Sequence, residues 1–176
     1  LNTFLNDHTH LPAYTELRAL LENISSAAMQ EHYAVPAPSQ DVKLTVNICS
    51  FSYKKNGIPK DKTSHGGGFV FDCRGIKNPG RYKDYKHLSG LDEQVKQFLE
   101  RETRMTEFIQ HAESMVSLNV EDYMSRGFEH LSVSFGCTGG QHRSVYSAEH
   151  MAAYIKNKYK IPVEITHLNK ENWVTE

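Results

Sequence analysis

The sequence predicts an α/β domain built on a small, mostly parallel sheet of about four strands flanked by helices. Three observations predict it. Short apolar runs near Leu44, Phe69, Leu131 and Val163 read as strands, two of them alternating with polar residues at period two. Stretches of helical periodicity precede the third run and separate it from the fourth. A glycine-rich turn, Gly136 to Gly140, joins the third strand to its helix.

At 176 residues the chain is long enough for one domain with a real core. Its 20 basic residues nearly balance 21 acidic ones, so no global field favours nucleic acid, and an RNA contact would need a local basic patch. Cys49, Cys73 and Cys137 form no CxxC pair and no complete disulfide set, which points to a reducing, cytoplasmic compartment. No apolar run reaches membrane-spanning length and no signal peptide opens the chain. The first residue is Leu1 rather than Met, so we expect one domain of a longer protein.

Residues 1–39 are expected to form a helix and linker, the tail of a preceding domain. Pro12 suits a helix first turn, Leu17, Leu20, Leu21, Ile24 and Ala28 share a face, and Pro36-Ala-Pro38 breaks it. His8 and His10 lack a third ligand and do not make a metal set. The ligand-binding domain is then residues 40–176. Leu44, Val46 and Ile48 alternate in the first strand, followed by a polar loop containing Lys54 and Lys55. The second strand is expected over Phe69 to Arg74, with Asp72 and Arg74 on one face, paired to each other or framing a pocket. Asn78-Pro79-Gly80 turns the chain. A short helix from Ser89 should turn Leu91, Val95, Phe98 and Leu99 inward, and a longer one runs from Thr103 to a stop at Gly127. The last helix covers Gln141 to Lys160 with Val145, Ala148, Ala152, Ile155 and Tyr159 inward, and Pro162 to His167 is the last strand. The tail from Leu168 is expected to be only partly ordered, with Trp173 packing on the body or on a partner subunit.

The chain is organised around His130 to Ser147, where a strand, a glycine-rich turn and a helix start make a ready anion site. Thr138 and Ser144 add hydroxyls there, and His142 and Arg143 add donors suited to phosphate oxygens. The stretch is not a Walker A loop, because no Gly-Lys-Ser/Thr follows at the required spacing. It is not a dinucleotide fingerprint either, for want of a third glycine. No cofactor is expected.

The run GCTGGQHRSVYSAEHMA closely resembles the loop and helix of the RapZ family's C-terminal domain. The resemblance extends to SFSYKKNGIP at 50–59, FVFDCRGIKNP at 69–79 and LSGLDEQVKQFLE at 88–100. It implies a ligand-sensing domain that follows a P-loop kinase-like domain, binds a phosphosugar such as glucosamine-6-phosphate, and presents small RNAs to a ribonuclease. It also implies that Thr138, Gly139, Gly140, Gln141, His142, Arg143 and Ser144 hold the phosphate, with Arg74 and Asn78 nearby. Two departures stand out: Gly80-Arg81-Tyr82 follows Asn-Pro where the enterobacterial member has His, and the chain ends HLNKENWVTE rather than in a basic tail.

The expectation is therefore a non-catalytic sensor for a phosphorylated sugar or nucleotide-sugar, self-associating, in a larger kinase-like or phosphotransferase protein. Two alternatives stand beside it. One is a small-RNA adapter module, weak in RNA affinity because Lys54, Lys55, Lys156, Lys158 and Lys160 are interleaved with acids. The other is a cysteine-dependent phosphatase, since Cys137 to Ser144 fits C-x5-R-S, with Cys137 as nucleophile, Arg143 on the phosphate and Asp72 or Asp84 as general acid.

Overall fold

A computed structural model describes residues 43–61, 63 and 67–175. The helix and linker expected at 1–39 lie outside them. Strands β1 (Thr45–Ser52), β2 (Gly68–Asp72), β3 (His130–Cys137) and β4 (Val163–His167) form one sheet in the order β2-β3-β1-β4, and every pairing is parallel. Parallel pairing follows from the connections: β2 reaches β3 through α1 (Glu93–Glu102) and α2 (Met105–Arg126), and β3 reaches β4 through α3 (Arg143–Tyr159). Among the described residues the α/β fold read from the sequence is thus the one found.

One side of the sheet carries the core. Val46 and Ile48 of β1 and Leu131, Val133 and Phe135 of β3 are buried with Ile109, Ala112 and Val116 of α2 and Val145, Ala148, Ala152 and Ile155 of α3. At the β2 edge Phe71 stacks between Phe69 and Phe135, with ring centroids 5.5 and 5.1 Å away. Gly127 ends α2 in the left-handed conformation at φ +71°, as its position suggested.

Four local expectations change. Arg74 is not on β2, because Asp72 accepts from the Arg74 amide at 2.9 Å and turns Cys73–Gly75 into a 3-10 turn. Leu91 is 41% exposed rather than inward. Ser89 to Asp92 closes as a turn in which the Asp92 carboxylate accepts from the Ser89 amide and hydroxyl, so α1 starts one residue later. The tail is ordered through Thr175: Lys170–Asn172 forms a 3-10 turn and Trp173 packs against His167 on the body. No described helix is long and apolar enough to cross a membrane.

The parallel order puts the carboxyl ends of β1, β2 and β3 on one edge. The amino end of α3 opens at that same edge.

Candidate functional site

The turn between β3 and α3 has its backbone oriented by donors from five places in the fold. The Cys137 carbonyl accepts from the Tyr53 amide at 3.0 Å and that of Thr138 from the Ser52 hydroxyl at 2.8 Å. Asn169 donates to the Gly139 carbonyl at 2.7 Å, and the Trp173 indole N–H to that of Gly140 at 2.9 Å. The Gly90 amide holds the Gln141 carbonyl at 2.8 Å, and the Tyr146 amide holds that of His142 at 2.9 Å. In a trans peptide unit the C=O of one residue and the N–H of the next point in opposite directions. Five consecutive carbonyls, Cys137 to Gln141, are thus held from outside, and each fixed peptide plane sets the direction of the next amide, those of residues 138–142. The His142 carbonyl accepts within α3 itself.

Of these amides, that of Gly140 donates to the Cys137 sulfur at 3.2 Å. Those of Gly139, Gln141, His142 and Arg143, and of Ser144 and Val145 in the first turn of α3, have no acceptor among the described residues. Backbone N–H groups without acceptors at a helix amino end are the feature from which anion-binding nests are built. Gly140 makes the curve possible: it sits at φ +63°, and a Cβ there would lie 2.9 Å from both the Ser52 amide nitrogen and the Asn169 Cβ.

The side chains expected to hold phosphate are placed differently from one another. Thr138 is half-buried at the rim, and its hydroxyl is 3.4 Å from Arg143 Nη2. Ser144 is fully buried and its hydroxyl meets the Cys137 sulfur at 3.1 Å. Gln141 reaches away from the nest, donating to the Leu88 carbonyl at 2.8 Å and the Val174 carbonyl at 2.9 Å while accepting from the Val174 amide. His142 donates through Nε2 to the Tyr85 carbonyl at 2.9 Å. Arg143, 3% exposed, spreads Nη1 over the carbonyls of Cys73, Arg74 and Ile76 at 3.3, 3.0 and 2.7 Å. Its Nε is buried without a partner, and no carboxylate pairs with it among the described residues. The side chains of Gln141, His142 and Arg143 thus pin the segment 73–88 to the start of α3, and what remains without an acceptor at these residues is the backbone N–H. Arg74 stays at the rim, bidentate to Asp72 and stacked 3.9 Å over the Tyr53 ring. Asn78 caps the next turn by accepting from the Gly80 amide.

Ionisation follows from these surroundings. Burial holds the His142 imidazole below its ordinary value of 6.5. The unfolded chain then takes up the proton more readily than the folded one, so stability is full above about pH 6.5 and falls as acid protonates the buried ring. We expect the urea midpoint to drop between about pH 7 and pH 5.5. His142→Gln, which keeps a donor for the Tyr85 carbonyl, should flatten that drop. The Arg74 guanidinium bonded to it holds the Asp72 carboxyl below the usual carboxylate range, so it stays ionised near neutrality and is a poor proton donor.

Sequence reasoning missed Ser52, Gly90, Asn169 and Trp173, all of which orient the turn. Trp173, the single tryptophan of the chain, was the one visible signal.

Comparison with known proteins gives a consistent result. The model of the RapZ C-terminal domain matches residues 44–171. A "Nucleotide-binding protein" of Thermosipho africanus is 35% identical over 142 residues, covering 81% of this chain and 49% of that protein. Proteins of the same name from Endomicrobium trichonymphae and Shewanella halifaxensis are 36% and 37% identical over 124 residues, covering 70% of this chain and 41% and 42% of theirs. The chain spans about half or less of the length of these curated relatives.

Proposed function

The chain belongs to the RapZ C-terminal domain family, and from that premise we propose that it binds a phosphorylated small molecule, a sugar phosphate or nucleotide-sugar, with its phosphoryl group on the amides of Gly139 and residues 141–145. The observation that carries this reading is the row of carbonyls from Cys137 to Gln141 held from outside, with the amides of Gly139 and residues 141–145 left without acceptors among the described residues. Arg143 supports it: a buried guanidinium with an unpartnered Nε and no paired carboxylate adds positive potential beside the nest. Thr138 and Arg74 at the rim are the side chains placed to meet the rest of the ligand. The printed names of the relatives, nucleotide-binding proteins, agree with a phosphorylated ligand.

Binding is favoured over phosphoryl hydrolysis on a specific ground. In the C-x5-R-S chemistry the arginine must be free to grip equatorial oxygens and an acid must protonate the leaving group. Here the Arg143 Nη1 is occupied by three carbonyls, and Asp72 is held ionised by Arg74. Calorimetric titration with inorganic phosphate and with glucosamine-6-phosphate tests the reading. We expect heat for both, tighter for the sugar phosphate, and a rise in unfolding free energy of about 2.7 kcal/mol at a hundredfold excess over Kd. Absence of heat and of any thermal shift at millimolar ligand would count decisively against the site.

A second reading, the RNA adapter, has one observation in its favour. The segment pinned by Gln141, His142 and Arg143 exposes Arg74, Lys77, Arg81, Lys83, Lys86 and His87, with Asp84 the one exposed acid between them. Such a ribbon would add contacts with the phosphate backbone that strengthen as salt falls, at a constant log–log slope of about −0.7 per phosphate for single strands.

A further inference from the structure

The C-terminal tail approaches the turn on the side opposite its amides. Three consecutive turn residues each give it a group: Gly139 its carbonyl to Asn169, Gly140 its carbonyl to Trp173, and Gln141 its side-chain amide to both the N–H and C=O of Val174. The tail is itself anchored to the sheet, since the Leu168 amide donates to the Ser50 carbonyl at 2.9 Å and Asn169 is 2% exposed. Asn172 donates to the Asn169 carboxamide oxygen at 3.2 Å, which fixes the Asn169 amide group so that its Nδ2 faces Gly139. The Trp173 ring lies 5.6 Å from that of His167, which holds the indole edge toward Gly140. These contacts do not touch the N–H face of the turn.

We propose that Asn169 and Trp173 are positioning residues for the phosphoryl group. They fix the Gly139–Gly140 and Gly140–Gln141 peptide planes: the first keeps the Gly140 amide on the Cys137 sulfur, and the second sets the direction of the unpartnered Gln141 amide. This rests on the anion site proposed above and extends it to residues outside the glycine-rich motif. A flexible Gly139-Gly140 pair has little preference of its own for either direction of its peptide planes. Preorganised amides bind an anion better than amides that must be ordered on binding, because the ordering is complete before the ligand arrives. The coupling is reciprocal, so a bound phosphate should hold the tail down.

The test uses the whole chain and inorganic phosphate. Trp173→Phe keeps an aromatic ring against His167 and removes the N–H donated to Gly140, together with one ring of a partly exposed side chain. Its melting temperature should stay close to that of the parent while phosphate affinity falls about fivefold or more, the expected consequence of one lost orienting hydrogen bond. Val174→Pro, which removes the N–H donated to Gln141 near the chain end, should weaken phosphate in the same direction. Because Trp173 is the only tryptophan, its emission reads the tail directly, and phosphate should change it in the parent. Parental phosphate affinity in both variants overturns the positioning role and leaves the anion site standing. A lowered melting temperature with unchanged affinity does the same, marking the tail as a structural strap. No phosphate binding by the parent chain sinks the anion site and the positioning role together.

Discussion

Arg143→Ala is expected to destabilise the domain by about 3–5 kcal/mol, a large share of the 5–15 kcal/mol typical of a domain. The guanidinium ties α3 to the turn that follows β2. Its Nη1 is shared by the carbonyls of Cys73, Arg74 and Ile76, and the first of these belongs to a residue with no exposed surface. Hydrogen bonds from a charged donor are worth about 1.5–3 kcal/mol each, and removing the donor leaves buried acceptors unsatisfied. Alanine also leaves a void where the long side chain crossed from α3 to the 73–76 turn. Urea titration reads the loss as a lowered midpoint with an unchanged slope. Arg143→Lys keeps the charge but presents an ammonium instead of the planar fork, so it should recover only part of the loss. From the sequence alone, Arg143 is instead placed on the phosphate. An intact fold in Arg143→Ala, with only phosphate binding weakened, would restore that view.

The position of the turn was legible because its signals are local. Alternation in Leu131, Val133 and Phe135 and the helical spacing from Val145 onward each need only neighbouring residues, and both elements lie where that periodicity put them. The partners of the turn were not legible. Arg143 meets residues about seventy positions earlier, and its acceptors are backbone carbonyls, which carry no residue signature. His142 and Gln141 likewise reach the carbonyls of Tyr85 and Leu88. A sequence shows that a donor is present. Which of two acceptors it serves, a ligand's oxygen or a distant carbonyl, is decided by tertiary packing. The tail was misjudged for the same reason, because a terminus reads as frayed until the groups that tie Asn169, Trp173 and Val174 are seen.

Gly90→Ala should be strongly destabilising, although Gly90 lies outside the glycine-rich turn. A Cβ at Gly90 would stand 2.3 Å from the His142 carbonyl oxygen, 2.4 Å from the Tyr146 amide nitrogen and 2.9 Å from the Val145 Cβ. The first two are backbone atoms of the opening turn of α3, joined to each other by a hydrogen bond of 2.9 Å, and neither can swing aside as a side chain would. The segment around Ser89 must therefore lift away from α3. That breaks the 2.8 Å bond from the Gly90 amide to the Gln141 carbonyl, and with it the support for the Gln141–His142 peptide plane. Overpacking against rigid atoms costs about 1–3 kcal/mol, and the lost buried hydrogen bond adds about 1 kcal/mol. Gly139→Ala is the matched comparison. Gly139 belongs to the motif, yet a Cβ there meets nothing within 4 Å, so its stability should stay within about 0.5 kcal/mol of the parent. Unfolding midpoints of the two variants, measured side by side with phosphate affinity, decide the matter. A domain that tolerates Ala at position 90 as readily as at 139 would mean that this strand-to-helix turn is not clamped from outside, and the orientation of its amides would need another cause.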